Sequence, residues 1–155
     1  MIREILLTID VIGLGMLLGG GIYESVVINP NYRSNISHSL NHFRQFIKVT
    51  TPANIFRILS PATMISLFLT VFICWNLISV RWFLVAAFVL LLVADSVTYG
   101  FHYPRNKILF INPLSSDIDL LNRIAREWQI GNYVRIILML IAIFSVMFGV
   151  FQYNK

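Results

Sequence analysis

Four ionisable side chains lie within or beside long apolar stretches of this chain: Glu24, Asp95, His102 and Arg135. An ionisable group inside a membrane-spanning helix costs about 2.5–3.5 kcal/mol on insertion scales, so it usually faces the protein interior and marks a functional site. His102 is a candidate base because an imidazole titrates near neutral pH. Glu24 and Arg135 are a natural ion pair, because either charge left alone in hydrocarbon would be strongly destabilising.

Two sets of residues recur at the spacing of one helix face. A carboxylate, a hydroxyl, a phenol and an imidazole follow an i, i+3, i+4, i+7 pattern: Asp95, Thr98, Tyr99 and His102. If the helix of the second loop continues across Gly131, an indole, an amide and a guanidinium follow an i, i+4, i+7 pattern: Trp128, Asn132 and Arg135. Glu24, His102 and Arg135 fall at the same membrane level, so a helical bundle could bring them together. We expect a polar pocket near one membrane surface.

The sequence leaves a structural explanation open for each of these residues. Glu24 and Arg135 could hold helices together without chemistry, since polar contacts of this kind contribute only about 0.6 kcal/mol on average. His102 could be a hydrogen-bonded residue at the membrane interface. Asp10 is better explained by packing or by an interfacial position.

The amino-acid composition indicates that these residues lie in a membrane protein. Of 155 residues, 57% are hydrophobic and 12% are charged, whereas soluble domains carry about 25% charged residues. We therefore expect one all-α integral membrane domain over residues 1–155. The net charge of +5 would suggest nucleic acid in a soluble protein. Here the basic residues flank apolar runs, so the expected partner is the lipid bilayer and not nucleic acid.

Four apolar stretches are long enough to span a bilayer, which takes about 20 residues. They cover about residues 5–28, 60–78, 82–103 and 133–153. Asn29-Pro30 and Pro104 are expected to end the first and third spans, and Ser60-Pro61 to begin the second. The result is a four-helix bundle with two long loops, 29–59 and 104–132.

Glycines are concentrated in the first span: Gly13, Gly15, Gly19, Gly20 and Gly21. Small residues permit close approach of membrane helices, and Gly15 and Gly19 have GxxxG spacing. The pattern favours a central position for the first span within the bundle.

Each long loop is predicted to contain an amphipathic helix that lies on the membrane surface or covers the bundle as a lid. The apolar stripe of the first helix is Ile36, Leu40, Phe43 and Ile47. The stripe of the second is Leu120, Leu121, Ile124 and Trp128. Gly131 is expected to break the second helix before the fourth span begins.

Basic residues are concentrated on the side of the two long loops. That side carries Arg33, Arg44, Lys48, Arg57, Arg105, Lys107, Arg123, Arg126 and Arg135. The opposite side carries Arg3, Arg81 and Lys155. The positive-inside rule therefore predicts an inner or plasma membrane protein with cytoplasmic long loops and with both termini outside.

No metal site is predicted. His38 and His42 have a spacing that can chelate zinc, but no third ligand is near in sequence, and a solvated helix face explains them better. His102 alone is a weak candidate for a haem ligand. The sequence contains no phosphate-binding loop, nucleophile elbow or HExxH motif.

Three segments together resemble the DUF1772 family of small four-span membrane proteins. The first is Gly21-Ile22-Tyr23-Glu24 followed by Asn29-Pro30. The second is Thr98 followed by His102-Tyr103-Pro104-Arg105-Asn106 and Leu109. The third is the W-x-x-x-N-x-x-R run of Trp128, Asn132 and Arg135. The resemblance covers nearly the whole chain in order and spacing.

The DUF1772 family includes the anthrone oxygenases of aromatic polyketide pathways. The resemblance implies oxidation of an anthrone to an anthraquinone by dioxygen, with no metal, flavin or haem cofactor. It implies that His102 or Glu24 is the base. Arg135 with Asn132 would stabilise the oxyanion, and Trp128 would stack on the rings. The other candidate substrate-binding residues are Tyr23, Asp95, Thr98, Tyr99 and Asn106.

Three functional classes stay open at this stage. One is an oxygenase or related enzyme that acts on a flat hydrophobic aromatic. The second is a non-enzymatic binding protein for a lipid or quinone, which could act as a homo-oligomer or as an accessory subunit of a membrane complex. A transporter is less favoured, because the four spans contain no inverted repeat and no broken helices that would indicate alternating access.

Overall fold

The computed structural model describes residues 1–153, which form five helices with no strand among them. We name them α1 (Ile2–Arg33), α2 (Ile36–Phe46), α3 (Ala53–Ile73), α4 (Ile78–Ile111) and α5 (Ile118–Tyr153). All except α2 are long and apolar enough to span a membrane. The predicted all-α membrane bundle is confirmed. Lys155 is one of the basic residues on which the predicted topology depends, and it lies outside the described residues.

The four long helices enclose an apolar core. Its largest fully buried side chains include Leu14, Leu17, Leu67, Leu84, Leu91 and Met139. The outward faces of the same helices are also apolar, as shown by the exposed residues Ile12, Phe72, Val89 and Phe144. A helix that is hydrophobic all round suits a lipid environment, where no polar outer face is needed. The fold therefore indicates an integral membrane protein.

Helices α1 and α4 continue through the prolines that were expected to end them. A π-helical segment comes just before each proline: Glu24–Ile28 precedes Pro30, and Thr98–His102 precedes Pro104. A proline lacks the backbone donor and clashes with the carbonyl four residues earlier. The wider π turn moves that carbonyl away, so the helix continues. The predicted ends at Asn29-Pro30 and Pro104 were therefore wrong.

Helix α3 begins earlier than predicted. It starts at Ala53, so Pro61 lies inside the helix and Ser60 is not its cap. The Ser60 hydroxyl instead donates to the Asp95 carboxylate on α4, at 2.7 Å. A serine followed by a proline is found both at helix starts and inside helices, so the predicted start at Ser60-Pro61 was wrong.

The surface helix predicted in the second loop is not a separate helix. Its apolar stripe belongs to the first turns of α5, which runs unbroken through Gly131. Asp117 caps this helix, because its Oδ1 accepts a hydrogen bond from the Leu120 amide at 2.9 Å. A Cβ atom at position 131 would lie 2.6 Å from the Phe101 ring. Close packing therefore explains Gly131, and the predicted break was wrong.

The first loop does contain the predicted helix, α2, with Ile36 and Leu40 buried. It packs on one end of the bundle through a second apolar cluster: Tyr32, Ile36, Leu40, Leu109, Leu121, Ile124, Ala125 and Trp128. We call this end the head. Helices α1, α4 and α5 have 32, 34 and 36 residues. Such helices are about 50 Å long, against about 30 Å of hydrocarbon, so they reach beyond the bilayer into the head.

Arg44 fastens α2 to the end of α4. Its guanidinium donates to three backbone oxygens, those of Ile108 at 2.9 Å, Leu109 at 2.6 Å and Asn112 at 2.7 Å. The last carbonyls of a helix have no partner within the helix and carry partial negative charge, so a cation there is favourable. Arg44 thereby holds α2 against the end of α4 in the head.

The glycines of α1 differ in what surrounds them. A Cβ at Gly13 would lie 2.5 Å from Thr63 Oγ1 on α3, whereas nothing lies within 4 Å of a Cβ at Gly15 or Gly19. The close helix contact is therefore made at Gly13 and not by the GxxxG pair.

We predict that Gly13→Val lowers the free energy of unfolding by about 1–3 kcal/mol, because the larger side chain overpacks the contact between α1 and α3. Gly15→Val is the matched control and should leave stability nearly unchanged. Thermal unfolding in detergent micelles measures both variants. Equal destabilisation by the two substitutions would contradict the described packing of α1.

Candidate functional site

A cavity of about 60 Å³ lies where the four spanning helices meet the head. We call it the polar pocket. Eight of the ten predicted site residues line it: Glu24, Asp95, Thr98, Tyr99, His102, Asn106, Trp128 and Arg135. They come from α1, α4 and α5, and α3 completes the wall. These residues, which share a helix face or a membrane level in the sequence, therefore surround one cavity. The cavity has room for a few water molecules.

Arg135 is buried, with 7% of its surface exposed. One Nη atom donates to Asn132 Oδ1 at 3.3 Å, and Nε has no partner among the described residues. The guanidinium carbon lies 5.5 Å from the centre of the Phe56 ring, within the range of a cation–π contact. These contacts leave much of the hydrogen-bonding capacity of Arg135 free toward the pocket.

The predicted direct ion pair between Glu24 and Arg135 is not formed. In residues 1–153, the one ion pair between side chains within 4.0 Å joins Arg105 to Glu127, at 2.8 Å. Glu24 and Arg135 line the same pocket. Their opposite charges therefore attract across the pocket without direct contact. An ion pair was expected because burial makes a lone charge costly. Here Asn132 and the Phe56 ring partly replace the missing contact.

Two carboxylates accompany the guanidinium in the pocket. Asp95 is hydrogen-bonded, because both of its oxygens lie 2.7 Å from the Ser60 hydroxyl, whose single proton is donated to one of them or shared by the two. Glu24 is 9% exposed and accepts no hydrogen bond from a described side chain. Glu24 is therefore the carboxylate that is free to receive a proton or to bond a ligand.

His102 is almost completely buried, and neither of its ring nitrogens has a hydrogen-bond partner in the described part of the chain. Its ring lies edge-on to Trp128, with centroids 4.9 Å apart. The indole of Trp128 is held in turn by Asn106, whose Oδ1 accepts from Nε1 at 2.7 Å. Buried polar groups are usually satisfied, so an imidazole with two free nitrogens leaves room for a hydrogen bond to a water molecule or a ligand in the pocket.

The pocket does not include Asn132 or Tyr23. The amide of Asn132 donates to the Gly21 carbonyl at 2.9 Å and to the Ser25 hydroxyl at 2.8 Å. It therefore ties α5 to α1 where the first π segment begins, and it orients Arg135. Tyr23 is 56% exposed on the outer face of α1.

Sequence reasoning missed the contribution of α3, which supplies Phe56, Arg57 and Ser60 to the pocket. The sequence predicts a loop here because Ser60-Pro61 is typical of a helix start. The signal that could have found it is Phe56 and Ser60 at i, i+4, a spacing that continues the helix back across the proline.

A larger cavity of about 380 Å³ adjoins the polar pocket under α2. We call it the head chamber. The two cavities share five lining residues: Glu24, Ala53, Arg57, Asn106 and Trp128. Ligand sites commonly have volumes of about 300–1,000 Å³. The head chamber has this size, and the polar pocket adjoins it.

Within the described residues, no group of three or more histidine, cysteine, aspartate or glutamate side chains is placed to hold a metal ion. His38 and His42 face each other on the exposed side of α2, with their Nε2 atoms 3.2 Å apart. They lie outside both cavities.

We predict that His102→Leu leaves the melting temperature unchanged or raises it, because an apolar side chain replaces a buried polar group without partners. Asn132→Leu should lower the free energy of unfolding by about 1–3 kcal/mol, because it leaves a buried carbonyl, a hydroxyl and Arg135 with fewer partners. Thermal unfolding in detergent measures both. A large loss of stability for His102→Leu would mean that the imidazole has a structural role.

Comparison of the chain with protein-family models, with curated proteins and with solved structures finds no match. The resemblance to DUF1772 proteins stays a prediction that depends on the three segments and their spacing.

Proposed function

We propose that this protein is a DUF1772-like membrane enzyme, a cofactor-independent oxygenase that acts on an anthrone or another flat hydrophobic aromatic. One observation carries the proposal. A buried guanidinium, a carboxylate and an imidazole with free hydrogen-bonding positions line one pocket that adjoins a chamber of ligand size. A proton acceptor beside a cation is what the formation of a carbon acid's anion requires.

The chemistry follows from the acidity of the central methylene of an anthrone. Glu24 or His102 accepts one methylene proton, and the negative charge moves onto the ring-conjugated oxygen, which Arg135 stabilises. The electron-rich carbon then forms a bond to dioxygen, and protonation gives a hydroperoxide. Loss of water from the hydroperoxide leaves a ketone. One oxygen atom of dioxygen ends in the carbonyl and the other in water, so the reaction balances without another reductant.

Trp128 and Asn132 have supporting roles in this proposal. The Trp128 indole, fixed by Asn106, offers an aromatic surface beside His102 for a flat substrate. Asn132 acts through Arg135, because it holds the guanidinium and does not line the pocket. A positioned base contributes about 10²–10⁴-fold to a rate.

The charge distribution supports a cytoplasmic head in an inner or plasma membrane. Nine of the twelve basic residues lie at the head end, whereas Arg3 and Arg81 lie at the other. The positive-inside rule assigns such an end to the cytoplasm. The substrate would then enter from the cytoplasmic leaflet.

A second candidate function is binding without reaction, in a lipid- or quinone-binding protein or an accessory subunit of a membrane complex. The cavity volumes favour this alternative: only about 60 Å³ surrounds the reactive groups, and the ligand-sized space is the adjoining chamber. A quinone carbonyl could accept from Arg135 without any proton transfer.

We predict that membranes containing the protein consume oxygen faster than control membranes when they are offered an anthrone. His102→Ala and Arg135→Ala should each remove at least nine-tenths of the excess, because they remove a proton acceptor and the cation that stabilises the anion. The matched controls are His38→Ala and Arg123→Ala, which change the same residue types at exposed positions outside the pocket. Both controls should retain the excess.

Anthrones oxidise slowly without a catalyst, so only the rate above that of membranes lacking the protein is compared. An excess that persists in both pocket variants would contradict the assigned site. No excess with a panel of anthrones, from protein that unfolds at the normal temperature, would make the binding function the leading interpretation.

A further inference from the structure

We infer that the head chamber recognises an anionic group on its ligand, and that the ligand is a flat aromatic acid whose anionic substituent binds Lys48 and Arg57. The inference deepens the proposed function, on which it rests, by naming the substrate class. The rings would lie against the aromatic wall of the chamber, and the reactive edge would point to Glu24.

The wall of the chamber suits flat rings. Tyr32, Phe43 and Phe110 pack against one another with ring centroids 5.5 to 5.8 Å apart. The Tyr32 hydroxyl is already bonded to the Asn29 amide, so this part of the wall presents apolar ring surface. Stacked or edge-on contact between aromatic rings is more favourable than the burial of their area alone.

The charges of the chamber are unbalanced. Its lining contains three cations, Arg44, Lys48 and Arg57, and one carboxylate, Glu24. Arg44 is committed to the backbone oxygens at the end of α4. Lys48 makes no hydrogen bond or ion pair with a described residue, and Arg57 makes one long bond, at 3.4 Å, to Asn54. Lys48 and Arg57, the two exposed cations of the chamber lining, are therefore free to bind an anion.

The position of these cations gives the ligand an orientation. Arg57 lines both cavities, whereas Lys48 lines only the chamber. Lys48 therefore holds the anionic group on the chamber side, whereas Arg57 and Glu24 both lie at the junction with the polar pocket. A guanidinium and an ammonium together bind a carboxylate through charge-assisted hydrogen bonds.

The same anionic chemistry could come from a soluble aromatic acid or from a membrane fatty acid. The aromatic wall favours the first source. Binding experiments can separate the two, because the chain contains a suitable reporter. Trp128 lines both cavities, whereas Trp75 and Trp82 flank the turn between α3 and α4 at the far end of the bundle.

The test uses the full chain with Trp75→Phe and Trp82→Phe, so that all tryptophan fluorescence comes from Trp128. Anthraquinone-2-carboxylate and its neutral methyl ester are titrated separately into the protein in a non-ionic detergent. The acid should quench Trp128 saturably. Adding Lys48→Gln and Arg57→Gln should raise the dissociation constant for the acid at least tenfold and that for the ester less than twofold. Arg123→Gln is the control for net charge and should change neither.

Oleate competition identifies the source of the anion. The inference expects oleate to displace the aromatic acid only at concentrations well above those of the acid itself. It is overturned if oleate binds more tightly than the acid, if the ester binds as tightly as the acid, or if the charge substitutions have no effect. Lys48 and Arg57 are exposed, so their substitution should preserve the fold, and an unchanged melting temperature verifies this.

This measurement separates the inference from the proposed reaction. Binding is read without dioxygen and without turnover. Binding of the acid with no oxygen uptake would reject the oxygenase and keep the recognition of an aromatic acid. Oxygen uptake from a neutral anthrone with no preference for the acid would keep the oxygenase and reject this inference.

Discussion

The burial of one guanidinium among four membrane-spanning helices is the constraint on which the rest of the site depends. A charge without a partner in a medium of low polarity is destabilising by several kcal/mol. Arg135 has no ion pair within 4.0 Å, and its neighbours are the Asn132 oxygen, the Phe56 ring and two carboxylates across a small cavity. This arrangement keeps the cation in place while leaving it available to a ligand.

The helices that surround Arg135 are shaped by the same requirement. The π segments Glu24–Ile28 and Thr98–His102 lie at the level of the pocket and carry Glu24 and His102 at their ends. An inserted residue changes the direction in which the following side chains point, and π turns are often found at functional sites. The prolines that follow each segment favour the wider turn.

Stability and function are divided between neighbouring residues in this region. Asn132, Asn106 and Ser60 each use their hydrogen bonds within the protein. Glu24 and His102 do not. Groups that are left unsatisfied in a folded protein reduce its stability, and such groups persist where a ligand can satisfy them. The contrast separates the side chains that tie the helices together from those whose hydrogen-bonding positions are open to the pocket.

Much of the fold follows from the sequence, because hydrophobic length and helical spacing are local properties. Four spans, the helix of the first loop and the common face of Asp95, Thr98 and His102 could all be predicted in this way. The continuation of α1 through Pro30 and of α4 through Pro104 could not, because π turns leave no sequence signature that separates them from a stop. The continuity of α5 through Gly131 depends on packing against Phe101, which is a tertiary contact.

The missing ion pair has a similar explanation. Complementary charges at one membrane level indicate proximity, but whether Glu24 meets Arg135 depends on distances that only the packed bundle determines. The role of Arg44 was equally hidden, since its three acceptors come from 64 to 68 residues away along the chain. The residues of the pocket were thus more predictable than the contacts among them.

The most direct test of the central claim is an experimental structure of the protein with an anthraquinone bound. The claim is that Arg135, His102 and Glu24 form the inner end of a ligand site that continues into the head chamber. The account predicts a quinone oxygen within hydrogen-bonding distance of the Arg135 guanidinium and rings beside Trp128. A structure in which Glu24 and Arg135 form a closed ion pair and the anthraquinone lies elsewhere would contradict it.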